Sequence, residues 1–538
     1  MTAPRIIKLT FGRNASAIGI GQARPCLSWK YEQDRHTAQG WIQTAFEITL
    51  KRGEDITKYN QNTRNNVEVP WPEDAQSLRS REVIHVTVRA KGHSEWTDPF
   101  TETLEAALLD RNDWSASVIA PDITPPANAP KRPFYTRRTV SINLGPGRSR
   151  IYATALGVYE IKINGKRIGD HVLAPGWQSY NHRLHYQTYV IKKGVLVDGD
   201  NVIEVVVGEG WYSGRLTWAE QRRNIWGAEI GIQLQFELDG QAVATTDESW
   251  EWSYGQLLES ALYDGEVFDA SVSQREWRST KVISLPKSTS LIAPESPPIR
   301  ETEVLKPVAL LSTPSHKRVI DFGQNLVGWV RIKNVPASKS ANDCLILRFA
   351  EVLDKGELGT RPLRSAKATD KVYLGNKPLT QWQPAFTTHG FRFCEVTGPL
   401  GILDDYMNNF EAVVVHSDME RIGDFSCSHD LINKLHRNVV WGLRGNFVGL
   451  PTDCPQRDER WASAIAAYAM LISGLVGQEI CKRLRRPHRS FTIPPDSWQT
   501  GCTTFPRNSS KTRMVSFLLW CPIRLVHLEV VLLLKLFG

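Results

Sequence analysis

Residues 453–460 read Asp-Cys-Pro-Gln-Arg-Asp-Glu-Arg, which puts three carboxylates and two guanidiniums into eight positions. A carboxyl flanked by other carboxylates and by arginines can have its proton affinity moved in either direction. General acid–base chemistry needs that freedom. Pro455 fixes its own φ and stiffens the turn, so these charges do not hang on a floppy segment. A solvated charged loop has the same composition, and the spacing alone only weakly favours a catalytic loop. Cys454 has no evident His partner and reads as a packed thiol rather than a nucleophile. A second candidate is Gly-Glu-Gly-Trp-Tyr-Ser-Gly-Arg at 208–215. There Trp211 and Tyr212 could stack on a sugar ring and Arg215 could hydrogen-bond to it. A glycine-permitted turn with buried aromatics fits the same residues.

The elements that must position these groups are mostly strands. "AFEITL" and "EVIHVTVRA" alternate with period 2 between polar turns, so residues 1–119 read as an immunoglobulin- or fibronectin-like sandwich. Residues 120–133, "APDITPPANAPKRP", form a Pro-rich linker unsuited to a central strand. A second β-domain follows over 134–300, with Asn164-Gly165 as a strong hairpin turn. A third, 301–415, holds "RVIDFGQNLVGWVRIKNV", "CLILRFAEVL" and "HGFRFCEVTG". The character then changes. Leu431, Ile432, Leu435, Val439, Leu443 and Phe447 fall at helical spacing, with Ser428 as N-cap and Asp430 in the first turn. A helical domain therefore starts near 416, and the acidic cluster follows its first long helix.

Composition narrows the function classes. The formal net charge is +8, from 65 basic and 57 acidic residues. Ten of the basic and three of the acidic residues lie in 461–538, which leaves 55 against 54 before that point. The main body is electrically balanced, so no nucleic-acid footprint is present in it. The eight cysteines form no CxxC pair, which indicates neither a zinc nor a dithiol site, and no metal or cofactor is expected. Gly19 and Gly21 lack the strand–GxGxxG–helix setting of a dinucleotide site. The N-terminus lacks a signal-peptide core, and "VSFLLWCPIRLVHLEVVLLLKLF" is broken by Pro522, Arg524, His527, Glu529 and Lys535. A cytoplasmic protein with no membrane partner is expected. Eighteen Trp suit either sugar stacking or β-sandwich cores.

"NVVWGLRGNFVGLPTDCPQRDER" resembles the signature region of family 78 glycoside hydrolases, the α-L-rhamnosidases. "GVYEIKINGKRIGDHVLAPGWQSYNHRLHYQTY" and "GEGWYSGR" resemble the jelly-roll domain of those enzymes. "DFGQNLVGWV" and "HGFRFCEVTG" resemble their next β-domain. The resemblance runs in order from about residue 20 to Arg460. It implies consecutive β-sandwich and jelly-roll domains followed by the start of an (α/α)6 barrel. It implies inverting hydrolysis of terminal α-L-rhamnosyl bonds, with rhamnose-containing glycosides as substrates. By motif position Glu459 resembles the general acid, and Asp453 the carboxylate that holds sugar hydroxyls. Arg457 and Asp458 share the motif and are expected to shape the pocket.

In the family the cluster continues into a Gly-Trp-Thr-Gly-Asp type segment and most of a helical barrel. Here "WASAIAAYAM" follows Arg460, and twelve helices do not fit in the residues after 416. The barrel is therefore expected to be incomplete. Residues 461–538 read as an atypical basic tail, disordered or produced by a misread splice site or frameshift. On this reading the chain itself is inactive, and the expected general base lies outside it. The alternative is a non-catalytic carbohydrate-binding β-sandwich protein.

Overall fold

The computed structural model describes residues 3–452 and 454–457, apart from 15, 33–39, 93–94, 126–128, 217–221, 287, 339 and 341. Its described elements are almost all strands. In Val83–Lys91 the residues Ile84, Val86, Val88 and Ala90 point inward and are buried, while the residues between them face outward. This period of two is what a strand with one buried face requires. The strand sits in a five-stranded sheet beside Phe100–Ala106 and Ala45–Arg52, with Ile18–Ile20 and Asp55–Gln61 at the edges. Arg5–Phe11 pairs with Leu27–Glu32, and together the two sheets enclose Trp29, Phe46, Ile48 and Leu104.

A second sheet of eleven strands is built around Phe134–Ile142, which pairs with Gly199–Gly208 and Glu251–Tyr254. Its core gathers Phe134, Ile151, Val205, Ile232, Phe236 and Trp250. Asn164 and Gly165 both have positive φ, 51° and 76°, and close the hairpin from Val158–Ile163 to Lys166–Arg167. The strand Val118–Pro121 takes up the first two residues of the segment read as a linker. It pairs with Arg278–Ile283, and Pro121, at the strand's end, interrupts no interior ladder. The first sandwich is tied to this sheet by Arg81, whose guanidinium donates to Glu237 at 2.7 and 2.8 Å and to Asp113 at 2.9 Å.

The third sheet has ten strands, with the 18-residue Arg318–Val335 between His389–Thr397 and Phe410–Ser417. Two strands from the span read as the second domain, Leu257–Ala261 and Gly265–Asp269, join this sheet. Gly265–Asp269 pairs in parallel with Thr369–Tyr373, about a hundred residues further along the chain. The second and third sheets share a core: Tyr135, Val158, Leu173 and Trp211 meet Trp329, Phe386, Val413 and Val415. Separating them would expose several large apolar side chains, each worth ~1.5–3 kcal/mol of burial. A piece ending after Ser417 is therefore expected to unfold cooperatively by calorimetry, with the second and third domains in one transition. Two resolved transitions for those domains, or a broad trace without a peak, would contradict the shared core.

Candidate active-site segment

The strand Phe410–Ser417 leads through an extended segment to the helix Asp430–Gly445. The helix starts one residue later than the sequence suggested. His429, with φ −104° and ψ 109°, is the N-cap, and not Ser428. The Asn433 side chain both accepts from the Cys427 N–H and donates to the Cys427 carbonyl, at 2.9 and 2.8 Å. That bracket ties Cys427 to the first turn of the helix. Asp430 lies in the first turn, where the helix dipole favours it.

The far end of the helix is fastened to the third sheet. Arg444 donates to His416 Nε2 at 2.9 Å and pairs with Glu303 at 2.9 Å. His416 Nδ1 in turn lies 2.7 Å from the Ser417 carbonyl, to which it donates. Burial, with the Arg444 charge beside it, holds the imidazole below its ordinary range, so it is neutral and can accept. Asn446 ends the helix. Its N–H reaches the carbonyls of Gly442 and Leu443, and its own carbonyl accepts from Thr452 at 2.9 Å. Phe447, expected on the helix, instead opens a two-residue strand. Phe447–Val448 pairs with Leu450–Pro451 across Gly449, whose φ of 77° suits glycine. Val448 joins the core shared by the second and third sheets.

The acidic motif begins directly after this hairpin. Its turn at 454–457 is closed by the Arg457 N–H on the Cys454 carbonyl at 3.1 Å. The Arg457 guanidinium donates to Cys454 Sγ at 2.7 Å and, at 3.4 Å, to the Pro362 carbonyl. Gln456 lies flat on Gly390 of His389–Thr397. A Cβ on Gly390 would come within 2.8 Å of Gln456 Cβ and 3.1 Å of its backbone. Gly390→Val is therefore expected to lift the turn off the sheet. Amide exchange at 452–457 should rise roughly tenfold or more while 318–335 stays protected; unchanged exchange at 452–457 would remove Gly390 from this role.

Of the residues singled out from sequence, Asp453, Asp458 and Glu459 lie outside the described residues, as does the whole of 461–538. Trp211 is 8% exposed in the shared core, and Tyr212 sits edge-on to Tyr180 with ring centroids 5.1 Å apart. Arg215 is also 8% exposed and pairs with Asp264 at 2.6 Å. Gly390, Asp264 and the loop 361–368 were not singled out. Gly390 was within reach, since "HGFRF" puts a glycine in an otherwise bulky strand, a sign of close backbone approach. Among the described residues no group of His, Cys, Asp and Glu could hold a metal ion.

Four family models match in order along the chain. They are the Rha78A-like N-terminal immunoglobulin domain over 6–110, the alpha-L-rhamnosidase N-terminal domain over 145–303, the bacterial alpha-L-rhamnosidase concanavalin-like domain over 311–416 and the bacterial alpha-L-rhamnosidase 6 hairpin glycosidase domain over 420–476. The chain is a homologue of the family 78 α-L-rhamnosidases. An α-L-rhamnosidase of Formosa agariphila is 32% identical over 479 residues, covering 82% of this chain and 50% of that protein. One from Alteromonas is 30% identical over 494 residues, with 86% and 53% covered. The crystal structure of an Aspergillus terreus α-L-rhamnosidase superposes with a TM-score of 0.82 at 39% identity, covering 90% of this chain and 57% of that one. The chain thus spans about half the length of the curated relatives it matches. In this rhamnosidase homologue the acidic motif falls inside the match to the glycosidase domain, and its turn rests on the concanavalin-like domain.

Proposed function

We propose that this chain carries the β-domains and the first part of an (α/α)6 catalytic barrel of an inverting α-L-rhamnosidase. One observation carries the reading: in a chain matching rhamnosidase domains in family order, the turn 454–457 within the acidic motif follows directly on the hairpin 447–451 and rests on Gly390. A proton donor and a sugar-binding carboxylate need such a fixed base, because misplacing reacting groups by ~1 Å sharply lowers the rate. Glu459 is assigned as general acid, delivering a proton to the leaving oxygen. Asp453 is assigned to the sugar hydroxyls. Arg457 and Asp458 shape the pocket, Arg457 by tying the turn to Pro362. Sugar contacts are assigned to this segment rather than to Trp211, Tyr212 and Arg215, which are largely turned into the protein.

The substrates proposed are glycosides ending in α-L-rhamnose. The general base is assigned to barrel sequence beyond Arg460. A cytoplasmic location belongs to the same proposal; no described helix is long and apolar enough to cross a membrane. The deciding experiment replaces Glu459 in a chain with a full helical domain and measures release of rhamnose. Rhamnose binding without turnover in that chain would favour the carbohydrate-binding alternative.

A further inference from the structure

We propose that Arg215 is a positioning residue for the acidic motif, acting through the loop 361–368. The inference rests on reading 451–460 as the catalytic segment and adds to it a residue from a different domain. Arg215 ends the "GEGWYSGR" stretch of the second domain, some 240 residues before the motif. Its Nη2 donates to Asp264 Oδ1 at 2.6 Å and to the Ser365 carbonyl at 3.4 Å, while Nη1 donates to Ser365 Oγ at 3.1 Å. Both charged side chains are well shielded, with 7% and 14% of their surface exposed. Removing the guanidinium would take this ion-pair partner from a shielded carboxylate.

Asp264 holds the same loop from below. Its Oδ1 also accepts from the Lys367 N–H at 3.0 Å, and its backbone carbonyl accepts from the Thr369 N–H at 3.0 Å. Within the loop, Arg361–Leu363 forms a 3-10 turn, and Leu363, Ala366 and Ala368 are buried in the third-domain core. Arg364 between them has φ 54° and ψ −110°, a region that L-residues seldom occupy. Such a backbone persists only where its surroundings fix it from both sides. On one side the fixing group is Arg215 at Ser365. On the other, Leu363 is buried and the neighbouring Pro362 carbonyl receives Arg457 of the motif. A shift of Ser365 therefore moves the carbonyl against which the motif turn is braced.

Geometry also explains why arginine stands at 215. Among the described residues, one planar fork meets an oxygen of Asp264 and two of Ser365. A lysine ammonium can reach the carboxylate but does not present the same fork.

The test is amide hydrogen exchange on the 538-residue chain, read by mass spectrometry at 361–368, 452–457 and 318–335. Arg215→Met is expected to speed exchange roughly tenfold or more at the first two segments and to leave the third unchanged. Arg215→Lys is expected to recover part of the protection at both. Arg457→Met should speed 452–457 alone, and adding Arg215→Met to it should raise that segment by less than about twofold, because one relay is broken twice. Acceleration confined to 361–368, or spread evenly over 318–335, overturns the proposal. So does a double variant whose effect at 452–457 is the product of the single ones. Should Arg215→Met fail to fold, Ser365→Ala removes the bond to Ser365 Oγ and is expected to give the same two-segment pattern at about two- to fivefold; its absence also overturns the proposal. Exchange needs no substrate. A broken relay and a failed catalytic assignment are thus read in separate experiments, the latter by the kinetics of Glu459→Gln.

Discussion

Joining residues 1–460 to the helical domain of the Aspergillus terreus relative is expected to give a chimaera that hydrolyses rhamnosides, and Glu459→Gln in it is expected to lower kcat by ~10²–10⁴-fold with the fold unchanged. The amide is the same size as the carboxyl but has no proton to give to the leaving oxygen. The loss should depend on the leaving group. A nitrophenolate departs without much help, so its release should fall least. A sugar or alkyl alcohol needs the proton, so its release should fall most. That gradient separates a general acid from a carboxylate that activates water, whose loss would hurt both substrates alike. The 538-residue polypeptide by itself is expected to turn over more slowly than the chimaera by the same factor or more. An inverting site needs a second carboxyl about 6.5–9.5 Å from the first. After Glu459 the sequence offers Glu479, Asp496 and Glu529, none in a recognisable motif. Equal losses for both leaving groups in Glu459→Gln would sink the acid assignment, and brisk turnover by the polypeptide alone would show that residues 1–538 already supply a base.

What could be read from sequence follows from how local each signal is. Alternation in Val83–Lys91 and the Asn164-Gly165 turn are properties of a few neighbouring residues, and both appear in the fold. The same holds for the helix Asp430–Gly445, whose apolar spacing is local, although its start moved by one residue because Asn433 brackets Cys427. The parallel pairing of Gly265–Asp269 with Thr369–Tyr373 has no local signature, since nothing near either strand specifies the other. The site shows the same division. Its charged motif was visible as a cluster of residue types. The loop 361–368 that braces it was not, because its role depends on Asp264 and Arg215 meeting it in space. "GEGWYSGR" was noticed for its chemistry, whereas the structure turns Trp211 and Arg215 inward, where they join two domains.

Glu266 lies on Gly265–Asp269 in the third sheet, and its titration is expected to govern stability above neutrality. The side chain is 2% exposed and accepts the Phe386 N–H at 2.6 Å and the Ala385 N–H at 3.1 Å. Its own N–H donates to Asp370 Oδ1 at 2.9 Å, and that carboxylate meets His389 Nε2 at 3.1 Å. Burial, reinforced by the negative charge of Asp370 and more weakly by that of Glu160, pushes the Glu266 carboxyl up to about 8, against the two backbone donors that favour its ionised form. The folded chain thus holds a proton, between its ordinary value near 4.5 and about 8, that the unfolded chain releases. A raised folded value means the stabilisation is complete below the unfolded value and is lost as pH rises through about 8. Glu266→Gln keeps an oxygen for Ala385 and Phe386 but has no proton to lose. Its stability in denaturant titrations should therefore match the parent's near pH 5 and exceed it by on the order of 2–4 kcal/mol near pH 8.5. His389 directly precedes Gly390, the residue on which the motif turn rests. Ionising Glu266 should then loosen 452–457 before the distant first sandwich, whose exchange at 83–91 should stay flat over the same range. Parallel stability profiles for parent and variant from pH 5 to 9 would show that Glu266 is ionised in the fold throughout, with its charge met by the two N–H groups alone.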